Sequence, residues 1–167
     1  MEKSSWAHNW KVHVLVVFGI LGCLWLILLP VWRTNGYPLH KVECLSNLKQ
    51  LGTSTAIYLG DNDDRMPLEN WMDDLYPFVK SLDLMECPLV TKEKKRYGYA
   101  LKIGVVGIKA STEKEPERTA TFFETDALGK SVVANLAARS GRHLKRGSHV
   151  GYLDTHVRFV PLGDPVR

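Results

Sequence analysis

Apolar residues are distributed unevenly along the chain. Residues 12–32, VHVLVVFGILGCLWLILLPVW, carry no formal charge, and His13 at their edge is the only strongly polar side chain among them. As a helix rising 1.5 Å per residue they span about 30 Å, the hydrocarbon thickness of a bilayer. A buried helix of a soluble core keeps a polar stripe, and this segment has none. Trp6, Trp10, Trp25 and Trp32 lie in or beside it, three of the four near an end, where indole rings favour the headgroup level, and Lys11 and Arg33 close its borders. The pattern predicts a single retained transmembrane helix preceded by a tail over 1–11. A cleaved secretory leader, the competing reading, calls for a shorter apolar run and a small-x-small cleavage site, where this chain has Pro30-Val31-Trp32-Arg33.

Beyond a turn-rich linker over 33–38 the pattern becomes that of globular sequence. Val42, Leu45, Leu48, Leu51, Ala56 and Leu59 recur mostly at intervals of three or four and predict an amphipathic helix over 39–59, ended by Gly60-Asp61-Asn62-Asp63-Asp64. Trp71, Leu75, Tyr76, Phe78 and Val79, grouped around Pro77, predict a short helix with an aromatic core face. Thr119-Ala120-Thr121-Phe122-Phe123-Glu124-Thr125 reads as a strand. Near the C-terminus, Asp154-Thr155 is read as a two-residue hairpin loop that pairs Leu153 with His156, Tyr152 with Val157, Gly151 with Arg158 and Val150 with Phe159. That register gathers Val150, Tyr152, Val157 and Phe159 on one apolar face, packed against the 39–59 helix. A β-branched residue resists positive φ, so a type I turn or a bulge is expected at Thr155. The fold class is α+β, with a domain over 39–167 in which the amphipathic helix packs on a small antiparallel β-sheet.

Charge and motifs narrow the function. The net charge of +4 over 167 residues is modest, and runs such as Lys92-Glu93-Lys94-Lys95-Arg96 interleave the signs, which argues against a nucleic-acid surface. Arg139, Arg142, Lys145 and Arg146 form the densest basic stretch and read as a solvated loop. No Gly-rich phosphate loop, Cys-x-x-Cys pair, His-Glu-x-x-His helix or Gly-x-Ser-x-Gly elbow occurs, so no enzyme activity and no small-molecule substrate are expected. Cys23 falls in the apolar segment, which leaves Cys44 and Cys87 either as one structural disulfide or as two unrelated buried thiols. A disulfide needs an oxidising compartment and so places the domain outside the cytoplasm; Lys3 and Lys11 against Arg33 and Lys41 do not settle orientation.

Candidate metal ligands are sparse. Asp61, Asp63 and Asp64 supply oxygen ligands for a weak calcium site, but Met66 and Met72 stand where an EF-hand loop needs Gly and Glu. His143, His149, Asp154 and His156 suggest zinc by composition. In the register above, however, His149 and His156 lie about 10 Å apart, too far for one ion. No metal or other cofactor is expected there: His143 is read as satisfying its own loop by hydrogen bonds, and Asp154 as stabilising the turn.

The segment Cys44-Leu45-Ser46-Asn47-Leu48-Lys49-Gln50-Leu51-Gly52, followed by Tyr58 and by residues 61–67, resembles the segment after the anchor in bacterial prepilin-like, type II secretion pseudopilin-like proteins. Glu86-Cys87-Pro88, Tyr97-Gly98-Tyr99, Phe123-Glu124, Arg142-His143 and Asp154-Thr155-His156-Val157 resemble later landmarks of that family in the same order, so the likeness covers roughly residues 44–160. The family's C-terminal signature is a His, nine residues, then Asp-Gly; His143 and Asp154 carry it here with ten residues between them and with Thr155 in place of the Gly. His156 follows directly. The family's prepilin-peptidase site, a Gly followed by Phe with Thr-Leu-Ile-Glu, is missing, and Pro30 with the Asn35 to Pro38 turn should interrupt a helix that family members continue smoothly.

The resemblance implies a non-enzymatic, single-pass inner-membrane protein with an extracytoplasmic domain, whose partners belong to a secretion or pilus-like assembly of the envelope. The alternatives are a standalone extracytoplasmic module binding a ligand or a protein, and a hydrolase using the His and Asp cluster.

Overall fold

The computed structural model describes residues 4–32, 37–90, 97–143 and 146–166, with side chains in the first two helices described at 10–30 and from 42 onward. Of the expected linker over 33–38, residues 33–36 lie outside the described residues, as do the charge run at 92–96, Lys145 and the side chains of Trp6 and Trp32, while Tyr37 and Pro38 open a helix instead. The chain divides into two compact units, Met1–Tyr37 and Pro38–Arg167.

The first unit is helix α1, Ser4–Trp32, which begins inside the expected tail and contains Pro30 near its end. Within it Trp10–Pro30 is long and apolar enough to cross a membrane, with a mean hydropathy of 2.7 and no residue buried. Apolar side chains are exposed around the helix, Phe18 and Ile27 each to 69%.

The second unit is α+β. Helix α2 (Tyr37–Asp61) is followed by the short α3 (Trp71–Leu75), which runs into a 3-10 turn at Tyr76–Phe78 where Pro77 ends regular helix. Five strands follow: β1 (Tyr99–Lys102), β2 (Ala120–Glu124), β3 (Val132–Ala134), β4 (Gly147–Tyr152) and β5 (Val157–Pro161). They lie in the order β3-β1-β2-β4-β5. The sheet is mixed rather than antiparallel throughout, because β3 pairs parallel to β1 while the other neighbours are antiparallel.

The core has two parts, one per sheet face. Cys44, Leu48 and Leu51 of α2 pack with Trp71, Met72, Leu75, Met85, Cys87, Tyr99, Leu101 and Phe122. Ala100, Ala120, Phe123, Val150, Tyr152 and Val160 form the other cluster. Ala120 and Phe123 share a face despite their odd separation because the β2–β4 register shifts between them.

The buried stripe of α2 differs from the one its apolar residues predict. Val42, Leu45 and Ala56 are exposed, whereas Asn47, Ser54 and Thr55 are buried. The polar members go inward because each finds a carbonyl: Asn47 Nδ2 donates to Glu86 O (3.2 Å), Ser54 Oγ to Phe78 O (3.1 Å) and Thr55 Oγ1 to Leu51 O (2.9 Å). In the expected aromatic face after Trp71, Tyr76 points outward at 57% exposure, and Phe78 is half-buried edge-on to Tyr58, with ring centroids 5.6 Å apart.

The β4–β5 hairpin exists, but its register is one residue away from the expected one. Gly151 pairs with Val157, Val150 with Arg158 and His149 with Phe159. Tyr152 N donates to His156 O and Thr155 N to Tyr152 O, both at 2.9 Å, so the loop holds three residues, Leu153, Asp154 and Thr155. Thr155 supplies the left-handed residue that closes such a loop, at φ 72°, the conformation it was expected to avoid. The slip splits the expected apolar face. Val150 and Tyr152 belong to one cluster, Val157 packs against the other beside α2, and Phe159 is half-buried. Asp154 does stabilise the turn, its Oδ1 accepting from His156 N at 3.2 Å. A β-branched residue held at positive φ is strained, so Thr155→Gly is expected to stabilise the protein by about 1 kcal/mol, measured as a raised urea midpoint at unchanged m-value.

Candidate functional site

The strongest concentration of chemistry lies where the ends of β2 and β4 face α2. Glu124 closes β2, and because Phe123 before it belongs to the far cluster, its side chain falls on the α2 side of the sheet. His149 in β4 reaches the same side by the same alternation with Val150. His143 precedes β4 and is tied to its start by a bridge to Gly147. The three side chains are buried to 2% exposure or less.

Their geometry converges on one carboxylate. Glu124 Oε1 lies 2.8 Å from His143 Nε2 and 3.2 Å from His149 Nδ1, while Oε2 accepts the His149 backbone N–H at 2.8 Å. The imidazoles meet edge to face, 4.5 Å between centroids, and the Phe159 ring lies 6.4 Å from one and 5.7 Å from the other. Burial alone would raise the Glu124 pKa, but hydrogen bonds and charge from His143 and His149 outweigh it and hold the carboxyl at about 2 against an ordinary 4.5.

A depressed carboxylate pKa contributes stability that is complete above its unfolded value and is lost as pH falls through the folded one. For metal-free protein in chelator, about 3 kcal/mol should therefore disappear between roughly pH 4.5 and 2. Urea midpoints across that window measure the loss, and Glu124→Gln should flatten its slope.

Two thiols complete the cluster. Cys44 of α2 and Cys87 are buried with their sulfurs 3.4 Å apart, in contact but not bonded to each other. Contact with Cys87 and burial both raise the Cys44 pKa. Cys87 moves the other way: the hydrogen bond from Cys44 lowers it, and the Arg142 guanidinium adds to that against the penalty of burial. Arg142 is directed inward rather than solvated. Its side chain is 14% exposed, Nε donates to Ser140 Oγ at 2.8 Å, and Nη2 donates to Gly98 O at 3.3 Å and to Thr125 O. Gly98 has to be glycine: its φ is +89°, and a Cβ there would stand 2.9 Å from Arg142 Nη1 and 3.0 Å from Cys87 Cβ.

Two donor sets follow, Cys44 with Cys87 and Glu124, and Glu124 with His143 and His149; in each, the ligand atoms lie within 4.8 Å of one another. Both are of the nitrogen, oxygen and sulfur type that suits a transition metal. The acidic stretch behaves differently. Asp61, Asp63 and Asp64 do not join any such grouping among the described residues. Asp63 and Asp64 have left-handed backbones, and Asp64 Oδ2 accepts from Ser111 N at 2.7 Å, so the stretch serves as a turn and fastens the 109–112 segment. His156 also stands apart, hydrogen-bonded to Asp154 Oδ1 at 2.5 Å and stacked on Tyr152 at 4.2 Å.

Of the residues singled out from sequence, the structure brings together Cys44, Cys87 and His143, and it leaves Asp154 and His156 in the hairpin turn. The His143 side chain reaches Glu124 in β2, while its carbonyl accepts from Arg146 N within its own loop at 3.1 Å. His149, weighed from sequence only together with His156, joins Glu124 instead, and Arg142, expected in a solvated loop, turns inward. Glu124 stands in the sequence only as the end of a strand, and the signal that marks it is a lone carboxylate closing an otherwise apolar run. No protein-family model, no curated protein and no solved structure matches this chain.

Proposed function

We propose that the protein is a single-pass, pseudopilin-like membrane protein without enzymatic activity, whose extracytoplasmic domain contacts partners of an envelope assembly or secretion apparatus. One observation carries the reading: residues on which the resemblance rests, spread from Cys44 to His143 along the sequence, meet around one point. Cys44, Cys87, Gly98, Glu124, Arg142 and His143 are linked by the contacts described above. The exposed apolar helix Trp10–Pro30 supplies the anchor. Burial of Cys44, Cys87, Glu124 and His143 supports a structural rather than catalytic role, since a substrate has no direct approach to groups 2% exposed or less.

The juxtaposed sulfurs support the outward orientation. A disulfide has S–S of about 2.05 Å, so oxidation needs only a small approach of Cys44 to Cys87. Crosslinking in native membranes followed by mass spectrometry tests the assembly role. Recovery of secretion or pilus components is expected; recovery of this chain alone would favour the standalone binding module.

A further inference from the structure

We propose that Glu124, His143 and His149 form a binding site for one divalent transition-metal ion, zinc by donor type, buried between the sheet and α2. The inference stands apart from the reading of the anchor and its partners. Two imidazole nitrogens and one carboxylate oxygen are a common zinc donor set, whereas calcium and magnesium take oxygen.

The spacing fits. With metal–nitrogen and metal–oxygen bonds of about 2.0–2.1 Å, two ligands of a tetrahedral ion stand about 3.3 Å apart. Glu124 Oε1 is already 2.8 Å from His143 Nε2 and 3.2 Å from His149 Nδ1, and all three donor atoms lie within 4.8 Å of one another. All three donor atoms are thus within reach of a single ion.

The surroundings are those of a built site. Glu124 and His149 stand on paired neighbouring strands, and the bridge from His143 to Gly147 holds the third ligand to the start of β4. The His149 N–H on Oε2 fixes the carboxylate so that its other oxygen faces both rings, and Phe159 lies against both imidazoles as an apolar wall. A dication would also give the buried carboxylate an opposite charge in a region 2% exposed or less. The sulfurs of Cys44 and Cys87 neighbour the same carboxylate, but the two-histidine, one-carboxylate set does not require them reduced.

The test uses the whole chain in detergent, stripped with chelator, returned to chelator-free buffer and titrated with zinc chloride by calorimetry. One ion per chain is expected, with a Kd in the micromolar range or tighter and a rise in unfolding temperature that chelator reverses. His149→Gln should weaken binding by about 100-fold or more, and so should Glu124→Gln. His156→Gln, outside the cluster, should leave it unchanged. Cobalt absorption gives a second readout on any variant of reduced stability, since the tetrahedral visible bands should vanish in His149→Gln. Folded wild-type protein that takes up no stoichiometric zinc would overturn the proposal, leaving a purely hydrogen-bonded triad. Undiminished binding in His149→Gln, or binding lost in His156→Gln, would overturn it as well.

Discussion

Replacing Glu124 by alanine is expected to lower the unfolding free energy by about 3–5 kcal/mol, the usual cost of removing one member of a buried charged or hydrogen-bonded group. The substitution takes away the acceptor of three contacts at once, those to His143 Nε2, His149 Nδ1 and the His149 N–H. Two imidazoles and a backbone donor then remain buried without it, and their desolvation is no longer offset. Against a total stability of about 5–15 kcal/mol the loss is large. Urea denaturation should show it as a lower midpoint at unchanged m-value. Glu124→Gln should cost less, because its amide oxygen still accepts. Equal midpoints for wild type and Glu124→Ala would mean that the cluster does not hold the β2–β4 end of the domain together.

The second large effect is expected at Gly147, the first residue of β4. A Cβ there would lie 2.5 Å from Val160 O, 2.7 Å from Phe159 Cζ and 2.9 Å from Pro161 Cα. Two of these are backbone atoms of the partner strand, so relief requires β4 and β5 to part. Gly147→Ala should therefore cost about 3 kcal/mol, at the upper end for overpacking, and Gly147→Val more. The damage should also reach the cluster, since Phe159 lies beside both imidazoles and His143 bridges to Gly147. Hydrogen exchange would locate it: faster exchange of the His149 and Val160 amides is expected, while amides in the middle of α2 stay protected.

How far the sequence is legible depends on the range of the interactions that decide each feature. Helix α1 is plain because an unbroken apolar run needs no tertiary information. The existence of α2 and of the C-terminal hairpin follows from local periodicity and turn residues. The hairpin register does not, because it hinges on Thr155 at φ 72°, a conformation a β-branched residue adopts only when the rest of the structure imposes it. One residue of slip then exchanges the faces of Val157 and Arg158. Strands β1 and β3, of four and three residues, are too short to show a pattern of their own. The site is the least legible part. Glu124 and His149 are 25 residues apart and meet only because β2 and β4 are neighbours, while Cys87 and Arg142 meet across Gly98. Within its hairpin alone His149 has only His156 to consider, which lies too far away to share an ion, and the neighbouring strand supplies its partner, Glu124.

The central claim is that this chain keeps its apolar helix in the membrane and exposes its domain to an oxidising compartment. Intact-mass spectrometry of the protein extracted from membranes, denatured and alkylated without reduction, tests both halves together. The account predicts a mass that includes α1 and carries a single alkyl group, on Cys23, with Cys44 and Cys87 joined and two hydrogens lighter. Loop closure between those cysteines, 43 positions apart, would then stabilise the domain by up to about 4 kcal/mol. A chain shortened past Pro30, or one carrying three alkyl groups, would contradict the account.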